Sequence, residues 1–166
     1  QEVFLYNRYA DRSYTQSTQM AREKMAKKKL SVLRHSVERS KIVLCDDSIV
    51  RGTQIMEKVR ELKKAGAKAV HVRVACPPII APCFYGIDMS TLDELFAPEH
   101  IPPRYNGIPK LELLEKMAED LGVNSLRYLP VPDLGPCIGG DRSSLCLGCV
   151  TGKSRCVQVI FLLFLA

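Results

Sequence analysis

One stretch restricts the fold of this 166-residue chain more than any other: a short apolar strand running into two carboxylates, a glycine and a helix start. Lys41 to Cys45 is β-branched at Ile42 and Val43 and bounded by charge, which predicts a buried strand. Asp46-Asp47-Ser48-Ile49-Val50-Arg51-Gly52-Thr53-Gln54 follows directly. From Ile55 the apolar residues Ile55, Met56, Val59, Leu62 and Ala65 fall on one helical face. Thr53 stands where an N-cap is expected, and Gly66 where a left-handed residue closes the helix. A second apolar run, Ala69 to Cys76, completes strand, loop, helix and strand, the pattern of a right-handed parallel βαβ unit. Such a unit predicts an α/β fold, a parallel sheet flanked by helices, with ligands at the carboxyl ends of the strands.

In that position each loop residue has a physical task. The amides of Ser48 to Thr53 can point inward, Gly52 permits close approach, and the following helix start adds partial positive charge, so the loop suits a phosphate dianion. The hydroxyls of Ser48 and Thr53 add donors, while Asp46 and Asp47 are acceptors suited to a vicinal diol or, through water, to Mg²⁺. An Asp pair alone is more often an ordinary strand-to-turn connection. The complete string after a strand points to a sugar-phosphate site.

Val43 to Thr53 resembles the phosphoribosyl pyrophosphate signature of the type I phosphoribosyltransferases, and its DDSIVRGT form resembles the amidophosphoribosyltransferase family specifically. Asn7 to Tyr14 is similar to that family's mobile substrate loop, Lys29 to Arg34 to the point where the loop rejoins the sheet, and Pro77 to Asp88 to the stretch after the next strand. The resemblance runs from about Asn7 to Lys153. It implies a transferase that forms phosphoribosylamine at the first committed step of purine synthesis. Asp46 and Asp47 would hold Mg²⁺ and the ribose hydroxyls, Ser48, Ile49, Val50, Arg51, Gly52 and Thr53 would hold the 5-phosphate, and Arg12 and Lys29 would reach the pyrophosphate. It further implies a [4Fe–4S] cluster on Cys83, Cys146 and Cys149, with a fourth cysteine upstream. The family's N-terminal glutaminase domain and pyrophosphate loop have no counterpart here, so the chain reads as a phosphoribosyltransferase fold incomplete at its N-terminus and inactive by itself. The expected organisation is a partial transferase domain over residues 1–130, a cysteine-bearing extension over 131–154 and an apolar tail over 155–166. Two other readings are open: a type I enzyme with a nucleobase acceptor, and a non-catalytic binding module for the same substrate.

Charge and cysteine usage narrow the partners. Of 24 Lys and Arg, ten lie in residues 1–41 against four Asp and Glu, so the formal net charge of +6 gathers near the substrate loop. A solvated helical face accounts for Arg22, Lys24, Lys27, Lys28 and Lys29, and a polyanionic small substrate would use the same field. No aromatics interleave with these charges and Trp is absent, which argues against nucleic acid. Seven cysteines without a secretory signal pattern predict a reducing, cytoplasmic setting and ligand roles rather than disulfides. Cys45 and Cys76, on strands, are expected in the core. A zinc site on Cys137, Cys146, Cys149 and Cys156 is the rival metal reading. His35, His71 and His100 lack matching partners and read as surface or packing residues. Gly148 to Ser154 has three residues between its glycines where a Walker A loop needs four.

Past Tyr85, Thr91 and Glu94 stand at capping-box spacing, Pro98 to Pro109 reads as loop, and Leu111 to Leu121 as an amphipathic helix ending at Gly122. Ser125 to Leu129 predicts a short strand. The apolar run Val157 to Leu165 is shorter than the roughly 20 residues a membrane span takes. A homo-oligomer, with no membrane partner, is expected.

Overall fold

The computed structural model describes residues 3–6, 30–83, 85, 91–102 and 105–153. Its centre is a three-stranded parallel sheet in the order β3-β4-β5, formed by β3 (Lys41–Asp46), β4 (Ala69–Val74) and β5 (Ser125–Tyr128). β3 and β4 pair from Lys41↔Ala69 to Asp46↔Val74, and β4 and β5 from His71↔Ser125 to Val74↔Tyr128. A minor antiparallel pair, β1 (Phe4–Tyr6) and β2 (Leu30–Val32), lies beside it, and Val3, Phe4 and Val32 pack against the main core. A single helical turn, α1 (Arg34–Val37), leads from β2 into β3.

Parallel strands need long crossovers, and two amphipathic helices supply them: α2 (Thr53–Lys64) between β3 and β4, and α3 (Leu111–Asp120) between β4 and β5. Both crossovers step the same way across the sheet, so right-handed connections put both helices on one face. Core composition agrees. Ile55, Val59 and Leu62 of α2 and Leu114, Met117 and Ala118 of α3 are buried with Ile42, Val70, Val72, Val74, Leu126 and Tyr128, which are alternate residues on one side of the strands. Leu62, Val70, Val72, Met117 and Leu126 are fully enclosed.

The other side of the sheet corrects two expectations. Val43 is 61% exposed and Cys45 is exposed, so the apolar run at β3 forms an edge strand with one covered face rather than a buried strand. Period-2 alternation sends every second residue to the side that neither helix covers. Cys76 is half-buried, just past the end of β4.

Helix ends follow the glycines more closely than the hydroxyls. Gly52, at φ 75°, occupies the N-cap of α2 and Thr53 is already helical, with no side-chain cap bond, which corrects the expected Thr53 cap. At the far end Gly66 has φ 97° and its amide donates to the Lys63 carbonyl at 3.0 Å, while Ala67 donates to Leu62 at 3.1 Å, a left-handed closure as expected. Thr91 and Glu94 do not form a capping box: Thr91 precedes a 3₁₀ turn, Leu92–Glu94, without a side-chain cap. After β5 come α4 (Val131–Cys137) and the single turn α5 (Gly148–Thr151). Gly107, at φ 89°, lets Val131 close in, since a Cβ there would lie 2.9 Å from the Val131 side chain. No helix among the described residues is long and apolar enough to cross a membrane.

Leu62 joins α2 to the sheet with no exposed surface. Leu62→Ala is expected to lower unfolding stability by about 3 kcal/mol through lost burial and an unfilled cavity, read from a urea midpoint shift at unchanged slope.

Candidate functional site

β3 delivers Asp46 and Asp47 to the carboxyl edge of the sheet, where the Ala75 amide donates to the Asp46 carbonyl at 3.0 Å and locks that edge to the segment leaving β4. The two acids turn the chain. Asp47 N donates to Asp46 Oδ1 at 2.9 Å and Ser48 N to Asp47 Oδ1 at 2.7 Å. Burial first, and then the hydrogen bond and charge of Asp47, raise the Asp46 pKa above the ordinary carboxylate value. Packed carboxylates of this kind call for a cation or for hydroxyl donors between them.

The rest of the loop is pinned from behind. Ile49 is buried in the core at 3% exposure, so only its backbone is left to face a ligand. The Val50 carbonyl accepts from Phe96 N at 2.8 Å, and Arg51 Nε donates to Glu94 at 3.1 Å. Gly52 passes so near Phe96 that a Cβ would stand 3.2 Å from its ring. The first helical bond of α2 runs from Met56 N to Gly52 O, so the amides of Thr53, Gln54 and Ile55 have no partner within the helix. The expected cradle of amides from Ser48 to Thr53 is thereby altered: the Ser48 amide is held by Asp47, and the open donors begin further on and extend into the helix start. Arg51, expected on the ligand, has its guanidinium committed to Glu94.

A second group lies beside the first. The Cys149 carbonyl accepts from both Ile80 N at 2.8 Å and Ala81 N at 3.1 Å, which fastens the segment after β4 to the turn carrying Cys146 and Cys149. Cys83 is two residues further along. Burial raises the Cys149 thiol pKa, with Cys83 and Cys146 adding to the shift against a lowering backbone hydrogen bond. Burial, followed by Cys149 and Asp47, pushes the Cys76 thiol up to about 11. Cys76, expected in the core, is half-buried just past the carboxyl end of β4, at the edge of the sheet that carries Asp46 and Asp47.

Among the described residues no three His, Cys, Asp or Glu side chains are gathered tightly enough to share one metal ion. Cys137, on exposed surface at the end of α4, is therefore not drawn with Cys146 and Cys149 into a mononuclear site, and Cys156 lies outside the described residues. Arg12 and Lys29 also lie outside them. The histidines with described contacts are packing residues: His71 Nδ1 is 2.9 Å from Ser125 Oγ, and His100 stacks at a tilt on Phe96 with centroids 5.0 Å apart.

Solved structures share this arrangement. The chain superposes with a TM-score of 0.69 and 38% identity on the Bacillus subtilis glutamine phosphoribosylpyrophosphate amidotransferase complexed with ADP and GMP, covering 93% of this chain and 32% of that one. A structure described as the allosteric regulatory enzyme of purine biosynthesis gives 0.71 at the same identity. Fold and loop together define a phosphoribosyltransferase-type α/β unit. Among curated sequences, the amidophosphoribosyltransferase of Methanocaldococcus jannaschii is 43% identical over 152 residues, 92% of this chain, and that of Bacillus subtilis 40% over 151 residues, 89% of it. The chain is thus a homologue of a segment of the amidophosphoribosyltransferases, and it spans about 29% of the length of those relatives. No protein-family model matches it.

Two measurements probe the site directly. Because the folded-state pKa of Asp46 is raised, its stability contribution is fully present below the unfolded carboxylate pKa and is lost as pH rises through the folded value. Asp46→Asn is therefore expected to stabilise the metal-free chain at pH 7 but not at pH 3, measured by urea unfolding at both. With a thiol pKa of about 11, Cys76 should alkylate slowly at pH 8, and tenfold faster per pH unit above that, while exposed Cys45 is modified first; peptide mass mapping reads both.

Proposed function

We propose that this chain is the part of an amidophosphoribosyltransferase that binds phosphoribosyl pyrophosphate and presents its anomeric carbon to ammonia. The observation that carries the reading is the loop itself: paired carboxylates at the carboxyl edge of a parallel sheet, then a glycine at φ 75° and an open helix start. Its 38–43% identity with amidophosphoribosyltransferases supports the same assignment.

In this reading the amides at the start of α2 and the Thr53 hydroxyl bind the 5-phosphate, and Ile49, by filling the core, fixes the loop so that little reorganisation accompanies binding. Asp46 and Asp47 accept from the ribose 2- and 3-hydroxyls and fit Mg²⁺, since a buried carboxylate whose pKa is raised beside a second carboxylate is relieved by a cation. Mg²⁺ when bound neutralises charge on the departing pyrophosphate. Ammonia, released from glutamine by a glutaminase domain outside these residues, forms the new C–N bond as the C–O bond to pyrophosphate breaks, through an oxocarbenium-like state. No side chain here acts as nucleophile; positioning and exclusion of water carry the step, with Arg12 and Lys29 assigned to the pyrophosphate. Cys83, Cys146 and Cys149 suit an iron–sulfur cluster, because the bonds from Ile80 and Ala81 to Cys149 bring their two segments together. The parent enzyme is assigned as a cytoplasmic homo-oligomer.

Calorimetric titration of the chain with phosphoribosyl pyrophosphate in excess Mg²⁺ tests the assignment. Saturable binding is expected, weakened at least tenfold, about 1.4 kcal/mol, by the double change Asp46→Asn, Asp47→Asn, with less than twofold change for Cys137→Ser. Absence of binding, or binding indifferent to the aspartates, overturns it.

A further inference from the structure

We propose that Glu94 and Phe96 are positioning residues of the phosphate cradle: their segment ties back Val50, Arg51 and Gly52, so that amides and hydroxyls are what the loop offers a ligand. The inference rests on the reading of this loop as the 5-phosphate site. It assigns a role to a segment that touches no ligand, with Glu94 lying 43 positions beyond Arg51.

Each tie removes something that would oppose an anion or let the loop move. A carbonyl turned into the cradle would repel a phosphate dianion, and the Val50 carbonyl instead accepts from Phe96 N at 2.8 Å. Gly52 starts α2 at φ 75°, and a Cβ there would stand 3.2 Å from the Phe96 ring. The ring therefore limits how far the loop can fall back, and with it where the amides of Thr53, Gln54 and Ile55 point. Arg51 donates to the same Glu94 oxygen through Nε at 3.1 Å and through Nη2. Its guanidinium acts on the loop through Glu94 and not on the phosphate.

The strut is itself held by the core. Leu95, Phe96 and Ala97 are buried, and the Phe96 ring lies against His100 with centroids 5.0 Å apart. From another side the Leu121 side chain stands 3.5 Å from the same Cβ position at Gly52. The ion pair differs from these apolar contacts, because the Arg51 and Glu94 side chains are 37% and 40% exposed. A pair so exposed adds little to global stability. Its contribution is geometric, which separates a positioning role from a merely structural one.

Calorimetric titration of the whole chain with phosphoribosyl pyrophosphate in excess Mg²⁺, run beside urea unfolding without ligand, tests the assignment. Glu94→Ala is expected to weaken binding about fivefold at an unchanged urea midpoint, because the freed loop must be ordered by the ligand. Glu94→Gln, whose amide oxygen still accepts from Arg51, should restore affinity to within about twofold. Arg51→Ala should match Glu94→Ala, with the double variant no weaker than either, since the pair acts as one tie. Phe96→Leu stays apolar but opens the wall at Gly52; it should bind about threefold more weakly, or worse, with native circular dichroism. A loss about tenfold greater in Arg51→Ala than in Glu94→Ala would make Arg51 a direct ligand and overturn the tie. Unchanged affinity in Glu94→Ala or in Phe96→Leu, with binding still dependent on Asp46 and Asp47, overturns the strut and leaves the loop assignment standing. If the unaltered chain does not bind, the loop assignment fails and the strut fails with it.

Discussion

The parallel pairing of β3 with β4 is the constraint on which the rest of the structure depends. Its register, Asp46 opposite Val74, brings the ends of two strands to one edge, and the Ala75 to Asp46 bond closes that edge. Val70, Val72 and Val74 supply the driving force, since alternate residues of the central strand lie under both helices. Two features leave from this edge: the carboxylates from β3, and the thiol of Cys76 with the proline segment from β4.

The loop illustrates how a polar site is kept rigid on an apolar support. Ile49 and Phe96 are core residues, yet one anchors the loop backbone and the other limits what fits at Gly52. The energetic cost of crowding Asp46 against Asp47 falls on the unliganded state, and burial of the neighbouring segment meets it. A ligand that brought positive charge or hydroxyl donors would relieve that crowding.

Much of this was legible in the sequence because period and punctuation agreed. The faces of α2 and α3, the closing glycines at 66 and 122 and the strand at Ser125–Tyr128 all follow from spacing alone. Three features were not legible, for separate reasons. Which face of β3 is covered depends on where the helices cross, so Val43 and Cys45 looked interior. The Thr53 cap failed because Gly52 could take a left-handed conformation that its neighbour could not adopt cheaply. Arg51 found Glu94 43 residues away, a pairing that local pattern does not encode.

Among the described residues, the side of the sheet that neither helix covers carries Lys41, Arg73 and Arg127 around exposed Val43 and Cys45. Arg73 pairs in register with Cys45 on one side and with Arg127 on the other, so the row is cationic across two adjacent strands. Two copies laid face to face would oppose like charges before any apolar contact formed, which protects the flat surface from stacking on itself. That protection reaches only about 10 Å at 0.1 M salt. Ionic strength therefore governs how far the like charge of Lys41, Arg73 and Arg127 reaches from the sheet.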